Sequence, residues 1–232
     1  MASMLAIAAH PDDETMFIGG TLAKYAAEGH TVYVLMTTRG EGGEVGEPVL
    51  ATPETLGAVR EAEVRAACAA LGVVETRFLP FVDPRMEEGI GGTVHHIDAP
   101  LELFAAAIRV QLEQLRPEVV LTHGSNGEYG HPQHIYTHRA TQLALASLSR
   151  PHTLATWGAW YADSTYEWAM NRDDPADLVL DITPWLAAKT AAAECHRTQH
   201  ALFRRSNQQK QMAELVPHIE SLHLWRGALP AE

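Results

Sequence analysis

Short, continuous apolar runs alternate along the chain with longer stretches in which apolar residues recur every three or four positions. The run Met4–Ala9 is bounded by polar residues and predicts a buried strand. Gly19–Gly29 predicts a helix closed by Gly29, and Thr31–Thr37, rich in Val and Tyr, a second strand. Thr52-Pro53-Glu54 offers an N-cap, a first-turn proline and a first-turn acid, which predicts a helix running to Leu71. Thr76–Leu79 is a third short strand, followed over 80–98 by a long glycine-containing loop of the kind that often carries function. From about Ala99 to Leu115 the stripe Leu101, Phe104, Ala105, Ile108, Leu112 and Leu115 marks one helix face. Val119–Thr122 is a fourth strand, and the polar loop His123–His131 leads into a helix to about Ser149. Thr153–Tyr161 and Leu178–Asp181 are strand-like, and Thr183-Pro184 opens a last helix through about Arg197. From Ser206 onward the pattern is mixed and predicts no single element.

Strands alternating with helices imply an α/β fold, a mainly parallel sheet with helices on both faces. No internal repeat or low-complexity stretch interrupts it, so residues 1–232 are expected to form a single domain. In such sheets ligands bind beyond the C-terminal ends of the strands, where strand order reverses. With the order 3-2-1-4-5, the first and fourth strands flank that crevice. The two most unusual motifs in the chain follow those two strands.

Composition narrows the partners. A chain of 232 residues with 46% hydrophobic and 20% charged residues is ordinary for a soluble globular protein. Its net charge of −12 repels phosphate backbones, so nucleic acid is not expected as a partner. Two isolated cysteines, Cys68 and Cys195, make no disulfide framework, and a reducing cytoplasmic location is expected. Met4–Ala9 is too short, and ends too charged, for a signal peptide or membrane span, so no membrane association is expected.

The first motif is His10-Pro11-Asp12-Asp13-Glu14 and the second Tyr129-Gly130-His131-Pro132-Gln133-His134. Three consecutive acids at the mouth of a buried strand repel one another and lose hydration, and a bound cation relieves both costs. Imidazole and carboxylate donors suit zinc, and three protein ligands with an open fourth position is the catalytic arrangement. His10, Asp13 and His134 would supply those three. Ferrous iron (Fe2+) accepts the same two-histidine, one-carboxylate set. A nucleotide-binding module would need glycines after the first strand; here that turn is acidic, and Gly40-Glu41-Gly42-Gly43 follows the second strand instead.

The stretch Ala9–Glu14, read as AHPDDE, together with the later His131-Pro132-Gln133-His134, resembles the PIG-L/LmbE-like zinc de-N-acetylases, which include deacetylases of mycothiol and bacillithiol synthesis. The order of the weaker segments Lys24–Gly46, Arg60–Glu63, Leu71–Val73, Lys189 and His196–Gln199 supports the likeness over most of the chain. The resemblance implies an LmbE-like, Rossmann-like fold. It implies a zinc-dependent hydrolase that removes the N-acetyl group from an N-acetylglucosaminyl small-molecule conjugate and releases acetate. A zinc amidase acting on another amide, such as a thiol conjugate, is the alternative. Family members often form homo-oligomers.

By resemblance Asp12 is the general base, with a helix N-cap as its ordinary reading. His131 stands beside the metal to stabilise the oxyanion or protonate the leaving amine. Tyr129 could donate to the oxyanion, or simply pack in its loop. Arg60 and Asp83 occupy the family's substrate-binding places: Arg60 would clamp a polar or anionic aglycone and Asp83 would accept sugar hydroxyls. Glu14 reads as a supporting or capping carboxylate, His138 as a solvated or supporting residue, and His95 and His96 as surface residues. His123 could line the cleft. Glu41 and Glu44 line the pocket or a solvated loop face, and the five tryptophans are core residues by default with a sugar platform among the alternatives. One departure stands out: Gln133 replaces the family's usual Asp, which tunes the neighbouring histidine. Gln133→Asp is therefore expected to raise the pKa of His131.

Overall fold

A computed structural model describes residues 1–85, 97–206 and 210–230 of the chain. Nine strands are present among them: β1 (Ser3–Ala8), β2 (Thr31–Met36), β3 (Glu75–Phe78), β4 (Val119–Thr122), β5 (Thr153–Trp157), β6 (Ala159–Trp160), β7 (Asn171–Pro175), β8 (Leu178–Asp181) and β9 (Ile219–Arg226). The main sheet has the order β3-β2-β1-β4-β5-β9-β8, and β6 and β7 pair separately. The first five strands of this sheet are parallel, in the order that the alternation predicts. β9 then adds antiparallel to β5, and β8 antiparallel to β9.

The period of two along β1 divides the core. Met4, Ala6 and Ala8 face one cluster, with Leu22, Cys68, Leu71 and Ala192 from α2 (Gly19–Ala27), α3 (Leu56–Ala70) with its C-terminal end, and α7 (Leu186–Cys195). Leu5 and Ile7 face the other, with Phe104, Ile108 and Leu112 of α4 (Leu101–Leu115) and Ala140 and Ala144 of α6 (Pro132–Ala146). A central strand covered on both faces needs no polar positions, which is why Met4–Ala9 reads as a continuous apolar run.

Boundaries move where local bonds compete. α3 begins at Leu56, because Thr52 first closes a turn in which Thr55 N and Leu56 N donate to Thr52 O. The strand expected over Thr153–Tyr161 breaks at Gly158, whose φ of +63° breaks the extended run. The N-terminus of α2 is capped from far away: Glu220 on β9 accepts the Gly20 and Thr21 N–H groups and is neutralised by buried Lys189 at 2.7 Å. No helix among the described residues is long and apolar enough to cross a membrane.

Candidate active site

Both motifs lie at the C-terminal ends of the adjacent strands β1 and β4, on either side of the point where the order reverses. The turn after β1 is tight. Asp12 has a φ of 107°, outside the usual range of a non-glycine residue, and Asp13 opens the four-residue helix α1 (Asp13–Met16). The loop after β4 passes through the short turn α5 (Gly127–Gly130) before Pro132 starts α6, where the missing N–H of proline costs nothing. β7 fastens this loop. Asn171 accepts from the N–H groups of Asn126 and Glu128, and Asp174 accepts from the Ser125 N–H and hydroxyl. A Cβ on Gly124 would stand 2.1 Å from the Asn171 amide, so this approach requires glycine.

Across the crevice two imidazole nitrogens and the two oxygens of one carboxylate converge, four atoms from three residues. His10 Nδ1 is 3.4 Å from Asp13 Oδ2, His134 Nε2 is 3.4 Å from Asp13 Oδ1, and the two imidazole nitrogens are 3.3 Å apart. The edge of a tetrahedron with ~2.0–2.1 Å metal–ligand bonds is about 3.3–3.4 Å. The opposite ring nitrogens are already committed. His10 Nε2–H donates to Gln133 Oε1 at 2.6 Å, and His134 Nδ1–H donates to Glu128 Oε2 at 2.6 Å. The remaining lone pairs of both rings therefore point at each other and at a carboxylate, in a buried place, and a cation fits between them.

The three consecutive acids do not share one environment. Glu14 is buried; its Oε2 accepts the Asp12 N–H and its Oε1 bonds His196 Nε2 and the Thr15 hydroxyl. Glu14 thus holds the unusual Asp12 backbone and is a supporting residue. Asp12 Oδ2 pairs with Arg60 Nη2 at 3.1 Å. Burial raises the Asp12 carboxyl, Arg60 pulls it down and Asp13 raises it again, leaving it at about 7. Asp13 lies well below the usual carboxylate range because His134 and His123 outweigh the cost of burial.

His131 stacks on His134 with ring centroids 4.4 Å apart and meets the His10 ring edge-on at 4.9 Å. Burial, then the neighbouring His134 and His10, push its pKa down to about 2, so it is neutral at ordinary pH. Its Nδ1 is buried without a hydrogen-bond partner among the described residues. The Tyr129 ring stands edge-on to His131 and His134 and is half exposed.

The structure changes the expected settings of several residues. Arg60 is buried, and its terminal nitrogens bond Gly40 O, Pro11 O and Asp12. Gly40, with φ +67°, has no room for a Cβ beside that guanidinium. Asp83 lies beneath the site with both oxygens engaged, by Gln133 Nε2 at 2.9 Å and Gly42 N at 3.1 Å. Gln133 bonds His10 and Asp83, which ties its side chain to a ligand histidine as well as to the expected effect on His131. Replacing Gln133 by Leu, which keeps the volume and deletes both contacts, is expected to weaken metal binding about 10–100-fold in a competitive chelator titration. An unchanged affinity would show that His10 needs no such partner.

His138 is buried, not solvated, with its Nδ1 on His123 O at 2.9 Å. Glu41 accepts the Asp83 N–H, while Glu44 pairs with Arg205 on the outside. His95 and His96 lie outside the described residues. Of the tryptophans, Trp157 is core, and Trp168 alone lines a cavity of about 380 Å³ that opens beside Asp12 and Asp13.

Glu128 was not singled out by the sequence reading. Its φ of 60° turns a buried carboxylate under both histidines: Oε2 accepts from His123 Nδ1 and His134 Nδ1, and Oε1 from Gly124 N and Asn171 Nδ2. Against the cost of burial, His123 first and then His134 hold it at about 2. His123 lies below the triad. Burial lowers its pKa, and the Glu128 and Asp13 charges outweigh that and raise it to about 9. Its Nε2 meets the Ala9 N–H at 2.9 Å, and it stands with Asp13 and His134 in a group whose ligand atoms lie within 4.8 Å of one another.

Residues 5–145 match the profile of the PIG-L family, described as GlcNAc-PI de-N-acetylase. A protein of Thermobifida fusca (strain YX) named 1D-myo-inositol 2-acetamido-2-deoxy-alpha-D-glucopyranoside deacetylase is 39% identical over 270 aligned positions, covering 95% of this chain and 92% of that protein. Among solved structures, the A40926 pseudoaglycone deacetylase Dbv21 superposes with a TM-score of 0.70 at 21% identity, covering 98% of both chains. GalB, the 4-carboxy-2-hydroxymuconate hydratase of Pseudomonas putida KT2440, gives 0.63 at 20% identity over 100% of this chain and 99% of its own. The two structural likenesses concern the fold, which serves a deacetylase in one case and a hydratase in the other, so chemistry must be argued from the site.

Proposed function

Because the chain belongs to the PIG-L family of de-N-acetylases, we propose that it is a zinc-dependent hydrolase that cleaves the acetamide of a small N-acetylglucosaminyl conjugate, releasing acetate and the free amine. The observation that carries this reading is the convergence of His10 Nδ1, Asp13 and His134 Nε2 at 3.3–3.4 Å, directly beside Asp12. When bound there, zinc lowers the pKa of a water molecule and polarises the amide carbonyl.

The side chains divide the remaining work. Asp12, held by the Arg60 guanidinium and the Glu14-fixed backbone, takes the proton from the attacking water and delivers it toward the departing nitrogen. Its value of about 7 makes it a base at neutral pH and an acid once protonated. His131, neutral, donates its N–H to the oxygen on which negative charge develops. Tyr129, whose ring stands edge-on to His131 and His134, offers its hydroxyl to the same oxygen. Arg60 acts on the substrate through Asp12 and the loop it braces, and Asp83 acts through Gln133 on His10.

The test is acetate release from N-acetylglucosaminyl conjugates by protein loaded with one zinc per chain, against the same protein after chelation. Release expected from the loaded protein only, restored by added zinc, supports the proposal. No release from any conjugate at full zinc occupancy refutes it.

A further inference from the structure

The cavity of about 380 Å³ beside Asp12 and Asp13 falls within the roughly 300–1,000 Å³ of sites that enclose drug-sized molecules. The acyl group of an acetamide ends in one methyl, which needs only about the 30 Å³ that a water molecule occupies in the liquid. If the reaction is de-N-acetylation, as proposed above and on which this inference rests, most of the cavity must hold the amine side of the substrate.

Its walls state the chemistry of that portion. Tyr161, Tyr166 and Trp168 line it, together with Leu202, Phe203 and Leu215 from the C-terminal helices. No Lys, Arg or His lines it among the described residues, and beyond Asp12 and Asp13 at the mouth the charged wall residue is Glu220. That carboxylate is already taken by Gly20, Thr21 and Lys189. The two serines of the wall are also engaged: Ser164 Oγ accepts from Tyr166 N, and Ser221 Oγ donates to Ala159 O. Apart from tyrosine hydroxyls, little remains to replace water around a polyol or to balance an anion. An aromatic and aliphatic wall gains most from an apolar group.

We propose that this cavity is the aglycone subsite, and that it takes an uncharged, apolar alkyl or aryl aglycone carried by the N-acetylated amino sugar. The named Thermobifida relative acts on an inositol conjugate; the wall described here suits a substrate without that polyol.

The experiment measures kcat/KM of the zinc-loaded full chain on methyl, propyl and pentyl glycosides of N-acetylglucosamine. It adds a 4-carboxybutyl glycoside and methyl glycosides of N-butanoyl- and N-hexanoylglucosamine. The expected result is a rise of about fourfold per added aglycone methylene, absent from the carboxylate analogue. Tyr166→Ala and Leu202→Asn, on two separate elements, are expected to flatten that slope; a merely structural defect would lower every member by one factor. Turnover of the methyl glycoside with a flat series, or a gain confined to the longer acyl chains, would overturn the inference and leave the deacetylase reading standing. If no member is turned over at full zinc occupancy, the deacetylase reading itself falls, and the aglycone assignment with it.

Discussion

Asp12→Asn is expected to lower kcat/KM by about 10²–10⁴ while zinc content stays at one per chain, since positioned proton transfer contributes that much and Asp12 is not among the converging donors. The asparagine keeps the size of the side chain and a partner for the Arg60 guanidinium, so a loss of folding is not expected. The acid limb of the wild-type pH–rate curve carries the second half of the prediction. A general base works deprotonated, so the rate should rise with pH through about 7, where burial, Arg60 and Asp13 together place Asp12. A water activated by zinc also titrates near 7, and the limb alone does not tell the two apart. Arg60 does, because its charge lowers the Asp12 pKa directly. In Arg60→Met the limb should move to higher pH. A full loss of activity in Asp12→Asn with a limb that stays in place in Arg60→Met would assign the titration elsewhere and leave Asp12 as a positioning group.

The parts of this site that could be read from the sequence are those fixed by local chain geometry. His10, Asp12 and Asp13 follow a strand whose burial is plain from six consecutive apolar residues, and His131 and His134 stand where a polar loop leads into a helix. Most of the five parallel strands were legible for the same reason: β1, β2 and β4 are short, largely apolar runs, whereas β3, with the sequence Glu75-Thr76-Arg77-Phe78, is marked by its place in the alternation with helices, which dictates the strand direction. The far edge of the sheet was not. β9 carries Glu220, His223 and Arg226 among its apolar residues, because Glu220 points inward to cap α2 and meet Lys189, which breaks the pattern of a half-buried strand. β7, with the sequence Asn171-Arg172-Asp173-Asp174-Pro175, looks like a solvated loop. Its polar residues are there to bind the backbone of another loop, and no period in the sequence reports a long-range bond of that kind. The settings of Arg60, Asp83 and Gln133 were hidden similarly: their residue types suggest ligand contacts, whereas their hydrogen bonds are made to the protein.

Glu128 is where that hidden layer should have its largest effect, and Glu128→Gln is expected to weaken zinc binding about 100-fold, the upper end for a group that orients a ligand. The argument is one of donors and acceptors. Four donors meet the two oxygens of Glu128: His123 Nδ1–H and His134 Nδ1–H at Oε2, Gly124 N–H and Asn171 Nδ2–H at Oε1. A glutamine has one oxygen and an NH₂ group. With the NH₂ at the Oε2 place, His134 must shift its proton to Nε2, which removes the lone pair that faces His10 and Asp13. With the NH₂ at the Oε1 place, two donors confront it and the loop after β4 must move, carrying His134 with it. The same substitution should change the acid stability of the protein. Glu128 is held at about 2 in the folded chain against an ordinary 4.5, so the stability it contributes is complete above 4.5 and is lost as pH falls from 4.5 toward 2. Denaturant titrations of the metal-free protein at pH 7 and pH 3 should therefore show wild type losing more stability on acidification than Glu128→Gln, which starts from a lower value. Equal losses in both proteins would mean that another carboxylate governs acid unfolding, and unchanged zinc affinity in the variant would mean that His134 is oriented by the packing of its ring and not by Glu128.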